Sequence, residues 1–138
     1  MDSRLCVQLE GTEAGSEFPY QATARLVEGN LPFTAIFAFN HHSAIGAIAR
    51  LKERGLHIRQ DLSLVGFDNI PGAQTNNPSL TTVRQPLRAM VEMAANAILR
   101  FLDPQTCGVM PATLAVKPGV VIRNSTSPVA NKSRFLAK

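Results

Sequence analysis

The 138-residue sequence has no tryptophan, one tyrosine, two cysteines and three histidines, and charged side chains make up only 17% of it. Cys6 in an apolar run and Cys107 in a loop-like stretch do not make a disulfide framework, so both are read as reduced thiols. No apolar run approaches the ~20 residues that cross a bilayer, which argues against a membrane-spanning helix. The start, Met1-Asp2-Ser3-Arg4, lacks the apolar stretch of a secretory signal, and a cytoplasmic location is expected. Also missing are a GxSxG elbow, a glycine-rich phosphate loop and an HExxH pair. A binding role is therefore expected, not an enzyme, and no cofactor.

What is present is aliphatic. Hydrophobic residues reach 45%, which excludes wholesale disorder, and the length fits one domain or a part of a larger one. The formal charge of +4 is unevenly spread. Residues 1–30 are net acidic, while Lys132, Arg134 and Lys138 fall in a polar stretch that reads as a solvated tail. That distribution is a weak basis for nucleic-acid binding.

Along the chain, residues 4–9 suit a strand, and residues 20–28 suit a helix that stops at Gly29-Asn30. Residues 33–39 (FTAIFAF) form a continuous apolar run of strand length, as expected of a strand covered on both faces. Ala44, Ile45, Ile48 and Leu51 have helical spacing within residues 43–54, with Gly55 placed to end that helix. Residues 62–67 (LSLVGF) are the next strand, and strand, helix, strand with short links predicts a parallel βαβ unit. Residues 71–79 read as loop and 80–84 as a short extended piece. Pro86 then opens a helix carrying an apolar stripe at Leu87, Met90, Val91, Ala94, Ile98 and Phe101. Residues 112–116 and 120–123 are further extended pieces, and the chain from Asn124 is expected to fray.

In open parallel sheets, ligands sit outside the carboxyl ends of the strands. Asn40 follows the first strong strand and Asp68 the second, so an amide and a carboxylate are expected on one rim, suited to a polyhydroxyl or base-like ligand. Equally, Asn40 is a good helix cap and Asp68 a good turn residue. The adjacent His41 and His42 raise a metal-dependent hydrolase as a reading of another class, but no carboxylate partner at ligand spacing accompanies them. Gly66, just before Phe67-Asp68, suggests a close backbone approach.

Taken in order, "FTAIFAFNHHSAIGAIARLKERGL", "QDLSLVGFDNI", "NPSLTTVRQPLRAM" and "VKPGVVIRNST" resemble the effector-binding core of LacI/GalR-family transcription regulators from about residue 4 to 126. The resemblance implies an α/β fold, a type I periplasmic-binding-protein-like lobe with a Rossmann-like parallel sheet flanked by helices, incomplete relative to the two-lobe core. It implies a partial effector-binding domain over residues 1–126, and residues 127–138, beyond the resemblance, are expected from their polar, basic composition to be a disordered tail. Carried over residue by residue, effector contacts fall on Asn40 and Asp68, with Gln85 at the lobe crossover and Phe18 as an aromatic lid. His41 and Asn69 stand where the family usually has aspartate, Pro19 and Val91 where it usually has glycine. Implied partners are a small sugar-like or nucleobase-like effector, a second copy in a homodimer, and operator DNA through a headpiece outside this chain. The helix of residues 43–54 lies near the family's dimer interface, which assigns Ile45, Ile48 and Leu51 either to a partner or to the chain's own core. A sugar-binding protein of a transport system shares the fold and is the alternative.

Overall fold

The structure, a computed structural model, describes residues 6–7, 17–29, 32–103 and 113–129. The expected strand at residues 4–9 lies almost wholly outside them, as do Cys107 and the basic residues of the tail. The first described element is α1 (Glu17–Glu28), which starts earlier than residue 20 because Pro19 is tolerated in a first turn. Gly29 closes it, its N–H donating to the Arg25 carbonyl at 3.0 Å.

The βαβ unit follows as β1 (Ala35–Phe37), α2 (His41–Glu53) and β2 (Ser63–Phe67). Gly55, at φ +68°, turns the chain out of α2, and the Leu56 N–H reaches back to the Leu51 carbonyl at 2.9 Å. A glycine is needed there because the left-handed conformation is costly for other residues. Residues 71–79 contain, instead of loop alone, the one-turn helix α3 (Gly72–Thr75), pinned by the fully buried Ala73. After it come β3 (Thr81–Arg84) and, later in the chain, β4 (Gly119–Val121), giving a four-stranded sheet in the order β1-β2-β3-β4. The β1–β2 and β2–β3 pairs are both parallel, with Ile36 opposite Leu64 and Gly66 opposite Thr82.

Because strand side chains alternate, Ile36, Leu64, Gly66 and Thr82 share the face that α2 covers. Gly66 is the point of closest approach: a Cβ there would stand 2.7 Å from Leu80 Cδ2 and 3.5 Å from Ala44 Cβ. Ala44, Ala47, Ile48 and Leu51 of α2 meet Leu62, Leu64 and Leu80 in the core. Each fully buried leucine contributes about 1.5–3 kcal/mol relative to exposure. On the opposite face Phe37 is 62% exposed, so β1 is not covered on both sides as its apolar run had implied. Among the described strands β1 stands at one edge of the sheet, and Ile36 and Ala38, with Phe33 just before the strand, are the residues of this run that pack on the core.

Helices α1 and α2 are clamped by polar side chains. The Tyr20 hydroxyl donates to Glu53, and Arg50 donates to that hydroxyl at 3.0 Å and to Glu28 at 2.8 Å. The phenol oxygen, the first of several partners, holds the Arg50 guanidinium above its ordinary pKa.

Residues 123–127 do not fray. Ser125, fully buried, wedges between β2 and β3: its Oγ accepts the Thr81 N–H at 2.8 Å and donates to the Leu64 carbonyl at 2.6 Å. The Leu64 N–H in turn donates to the Ser125 carbonyl at 2.8 Å, and Ser127 exchanges hydrogen bonds with Ser63 at 3.2 Å. Buried backbone groups that the sheet leaves unpaired thus find partners in this strap.

Residues 84–119 form a second unit, described by itself. Its helix α4 (Leu87–Leu102) begins directly after Pro86, and Asp103 closes it through an N–H to the Leu99 carbonyl at 3.1 Å. None of its residues is buried; Leu87, Met90, Val91, Ile98 and Phe101 are all exposed. No helix among the described residues is long and apolar enough to cross a membrane.

Candidate functional site

Because β1 and β2 are adjacent and parallel, their carboxyl ends share one rim of the sheet, and the chain leaves that rim through Asn40 and Asp68. Asn40 has extended backbone and caps α2, its Oδ1 accepting the Ser43 N–H at 2.8 Å. That bond fixes the side chain, and among the described residues its NH₂ group has no partner. The capping reading of Asn40 is therefore correct, and it leaves two donors aimed by a rigid cap.

Asp68 and Asn69 both adopt the left-handed region, at φ +83° and +54°. Two consecutive non-glycine residues there are costly, so something must hold them. The Asn69 N–H donates to Thr82 Oγ1 at 3.3 Å, and Arg123 donates to Asn69 Oδ1 at 2.8 Å while its other nitrogen donates to the Leu80 carbonyl at 2.7 Å. Arg123 thus bridges the segment before β3 and the turn after β2, and the turn that presents Asp68 is set by it.

His41, the first residue of α2, is 3% exposed, and its Nδ1 is buried with no hydrogen-bond partner. Burial first, and then His42, hold its pKa below the ordinary histidine value; Asp68 acts in the opposite direction. The rim thus offers amide donors and a carboxylate acceptor, next to the Phe37 and Phe67 rings, which meet edge to face at 6.4 Å.

Phe18 is half-buried on α1, and Gln85 is half-buried in the second unit. The His41 and His42 rings lie 6.3 Å apart at 83°, one buried and the other exposed, and among the described residues no group of three or more metal-ligating side chains exists. Of the interface candidates, Leu51 and Ile48 are 0% and 8% exposed and belong to the core of this chain, because they face β2 across the sheet. Only Ile45, at 37%, retains surface for a partner. Sequence reasoning missed Arg123 and Thr82: a strand-end arginine and a threonine carry no signal that they will hold a distant turn.

Residues 4–126 match the family model of the periplasmic binding protein-like domain. Similar curated proteins include the HTH-type transcriptional regulator DegA of Bacillus subtilis, 37% identical over 132 residues, covering 94% of this chain and 36% of that protein. Another is the HTH-type transcriptional regulator GalS of Salmonella typhimurium, 43% identical over 79 residues, covering 57% of this chain and 23% of that one. Among solved structures, a putative LacI-family regulator from Sanguibacter keddieii superposes with a TM-score of 0.75 at 32% identity, covering 93% of this chain and 46% of that chain. A LacI-family regulator from Enterococcus faecium with bound ribose gives 0.70 at 30% identity, covering 86% and 43%. The chain thus spans less than half the length of each of these relatives. With the sheet order, the rim and these matches together, the chain belongs to the LacI family of transcription regulators and comprises part of its periplasmic-binding-protein-like effector region.

Proposed function

We propose that this chain senses a small sugar for a DNA-binding regulator, with Asn40 donating to sugar hydroxyls and Asp68 accepting from them. The observation that carries this reading is the pairing of an unpartnered, cap-fixed amide and a carboxylate held in a left-handed turn on the same sheet rim. A carboxylate and an amide together satisfy both the donor and the acceptor of a hydroxyl. The exposed ring of Phe37 beside Phe67 supplies apolar surface for the carbon face of a pyranose or furanose. The structural relative with bound ribose supports a sugar as the ligand class.

Phe18 and Gln85 enter as further effector contacts on the strength of the family resemblance. Homodimerisation through the exposed Ile45 side of α2, operator binding through a headpiece outside this chain and a cytoplasmic location follow from the same resemblance. Effector and operator binding are then coupled because each favours one of two arrangements, and linkage makes that coupling reciprocal.

The test is thermal unfolding of the chain against a panel of pentoses, hexoses, disaccharides and nucleobases, with Asp68→Ala in parallel. A ligand at one hundred times its Kd adds about 2.7 kcal/mol, a visible shift. A shift with a sugar that disappears in Asp68→Ala supports the reading. A shift confined to nucleobases contradicts the sugar assignment.

A further inference from the structure

A cleft of about 490 Å³ opens at the end of the sheet opposite the Asn40–Asp68 rim, where the chain enters β2 and β3. That volume lies within the roughly 300–1,000 Å³ of small-molecule sites. Arg59, Gln60, Gln74, Asn76, Asn77 and Asn124 supply its polar lining, one guanidinium and five carboxamides, and no carboxylate lines it. Among the described residues, none of these six side chains makes a hydrogen bond or ion pair with the protein. Asn76 Nδ2 is buried and still has no partner. Buried donors are normally satisfied, so an unpaired one beside a cleft points to something that enters it.

The side chains are unpaired, but the backbones that carry them are fixed. Arg59 is held at φ +82°, its N–H donating to the Leu62 carbonyl at 2.7 Å and its carbonyl accepting from the Ser127 hydroxyl. The Asn76 N–H donates to Gly72 at 3.2 Å and the Asn124 N–H to Ser79 Oγ at 3.4 Å. Asp61, the nearest carboxylate in sequence, is turned to the His57 N–H at 2.7 Å and leaves Arg59 without a counter-charge.

Carboxamides present both donors and acceptors and match hydroxyl groups, whereas a guanidinium matches a phosphate through paired N–H bonds. We propose that this cleft is a second ligand site, distinct from the rim, that takes a phosphorylated monosaccharide: Arg59 binds the phosphate, and the carboxamides of Gln74, Asn76 and Asn124 bind the hydroxyls. A regulator so equipped reads two sugar signals at opposite ends of one sheet.

Isothermal titration of the chain with glucose 6-phosphate, glucose and inorganic phosphate tests it. Arg59→Gly removes the guanidinium at a position whose positive φ suits glycine, so the backbone is retained. Gln74→Ala, on the exposed face of α3, is the second variant should Arg59→Gly fail to melt cooperatively. The expected result is saturable binding of glucose 6-phosphate, weakened at least tenfold in Arg59→Gly, measurably weakened in Gln74→Ala and unchanged in Asp68→Ala, with glucose and phosphate each binding more weakly. Absence of binding overturns the proposal, as does equal binding of phosphate alone. Loss of binding in Asp68→Ala with retention in Arg59→Gly assigns the ligand to the rim and also overturns it.

Discussion

Helices α2 and α4 carry much the same apolar spacing and come to opposite ends. On α2, His41, Ser43, Ala44, Gly46, Ala47, Ile48 and Leu51 are buried, whereas α4 buries nothing. Periodicity therefore reports that a helix has an apolar face; whether the chain itself supplies the cover is a separate matter. For α2 the cover is β2, Leu80 and α1. For α4 the exposed stripe belongs to a chain that spans under half the length of its LacI-family relatives.

The contrast is broken most strongly at the base of α2. Leu51→Ala, at a fully buried position, is expected to cost about 2–5 kcal/mol, measured as a lowered urea midpoint at unchanged slope. Next comes Ser125→Ala, which strands the Thr81 N–H and the Leu64 carbonyl between β2 and β3; about 1–3 kcal/mol is expected from the same measurement.

A pH titration of stability probes the first turn of α2. His41 has its pKa depressed in the folded state, so the unfolded chain binds more protons as pH falls through the ordinary value of 6.5. Stability is fully present above that value and declines below it, and His41→Asn is expected to flatten this dependence. The smallest effect is expected on α4: Val91→Lys, at a position 67% exposed, should change the unfolding midpoint of this chain by less than about 0.5 kcal/mol. A cost near that of Leu51→Ala would show that α4 is covered in solution and would erase the contrast.

Much of this architecture was legible in the sequence, for local reasons. Gly55 announced the end of α2, Pro86 the start of α4, and the LSLVGF run the central strand β2. Gly66, expected to mark a close backbone approach, is instead a packing position, since the Leu80 side chain fills the space a side chain would need. The failures are non-local. FTAIFAF was expected to be covered on both faces because it is apolar throughout, but coverage depends on what lies across the sheet. Residues 123–127 read as polar and aperiodic, and only the fold shows that Ser125 and Ser127 serve strand groups some 60 residues away. At the rim, Asn40 and Asp68 were legible from their places at strand ends; the Thr82 and Arg123 contacts that hold the Asp68-Asn69 turn were not, because they form only once β3 and the strap are in place.

The most direct test of the account is a calorimetric titration of D-ribose into the native chain, into Asp68→Ala and into Asn40→Ser, which keeps an oxygen to cap α2 but removes the NH₂ group. The account predicts saturable binding by the native chain, at least tenfold weaker binding by Asn40→Ser and none detectable by Asp68→Ala, with all three proteins melting cooperatively. Ribose binding of equal strength in all three would contradict it, since the rim amide and carboxylate would then not be the groups that hold the sugar.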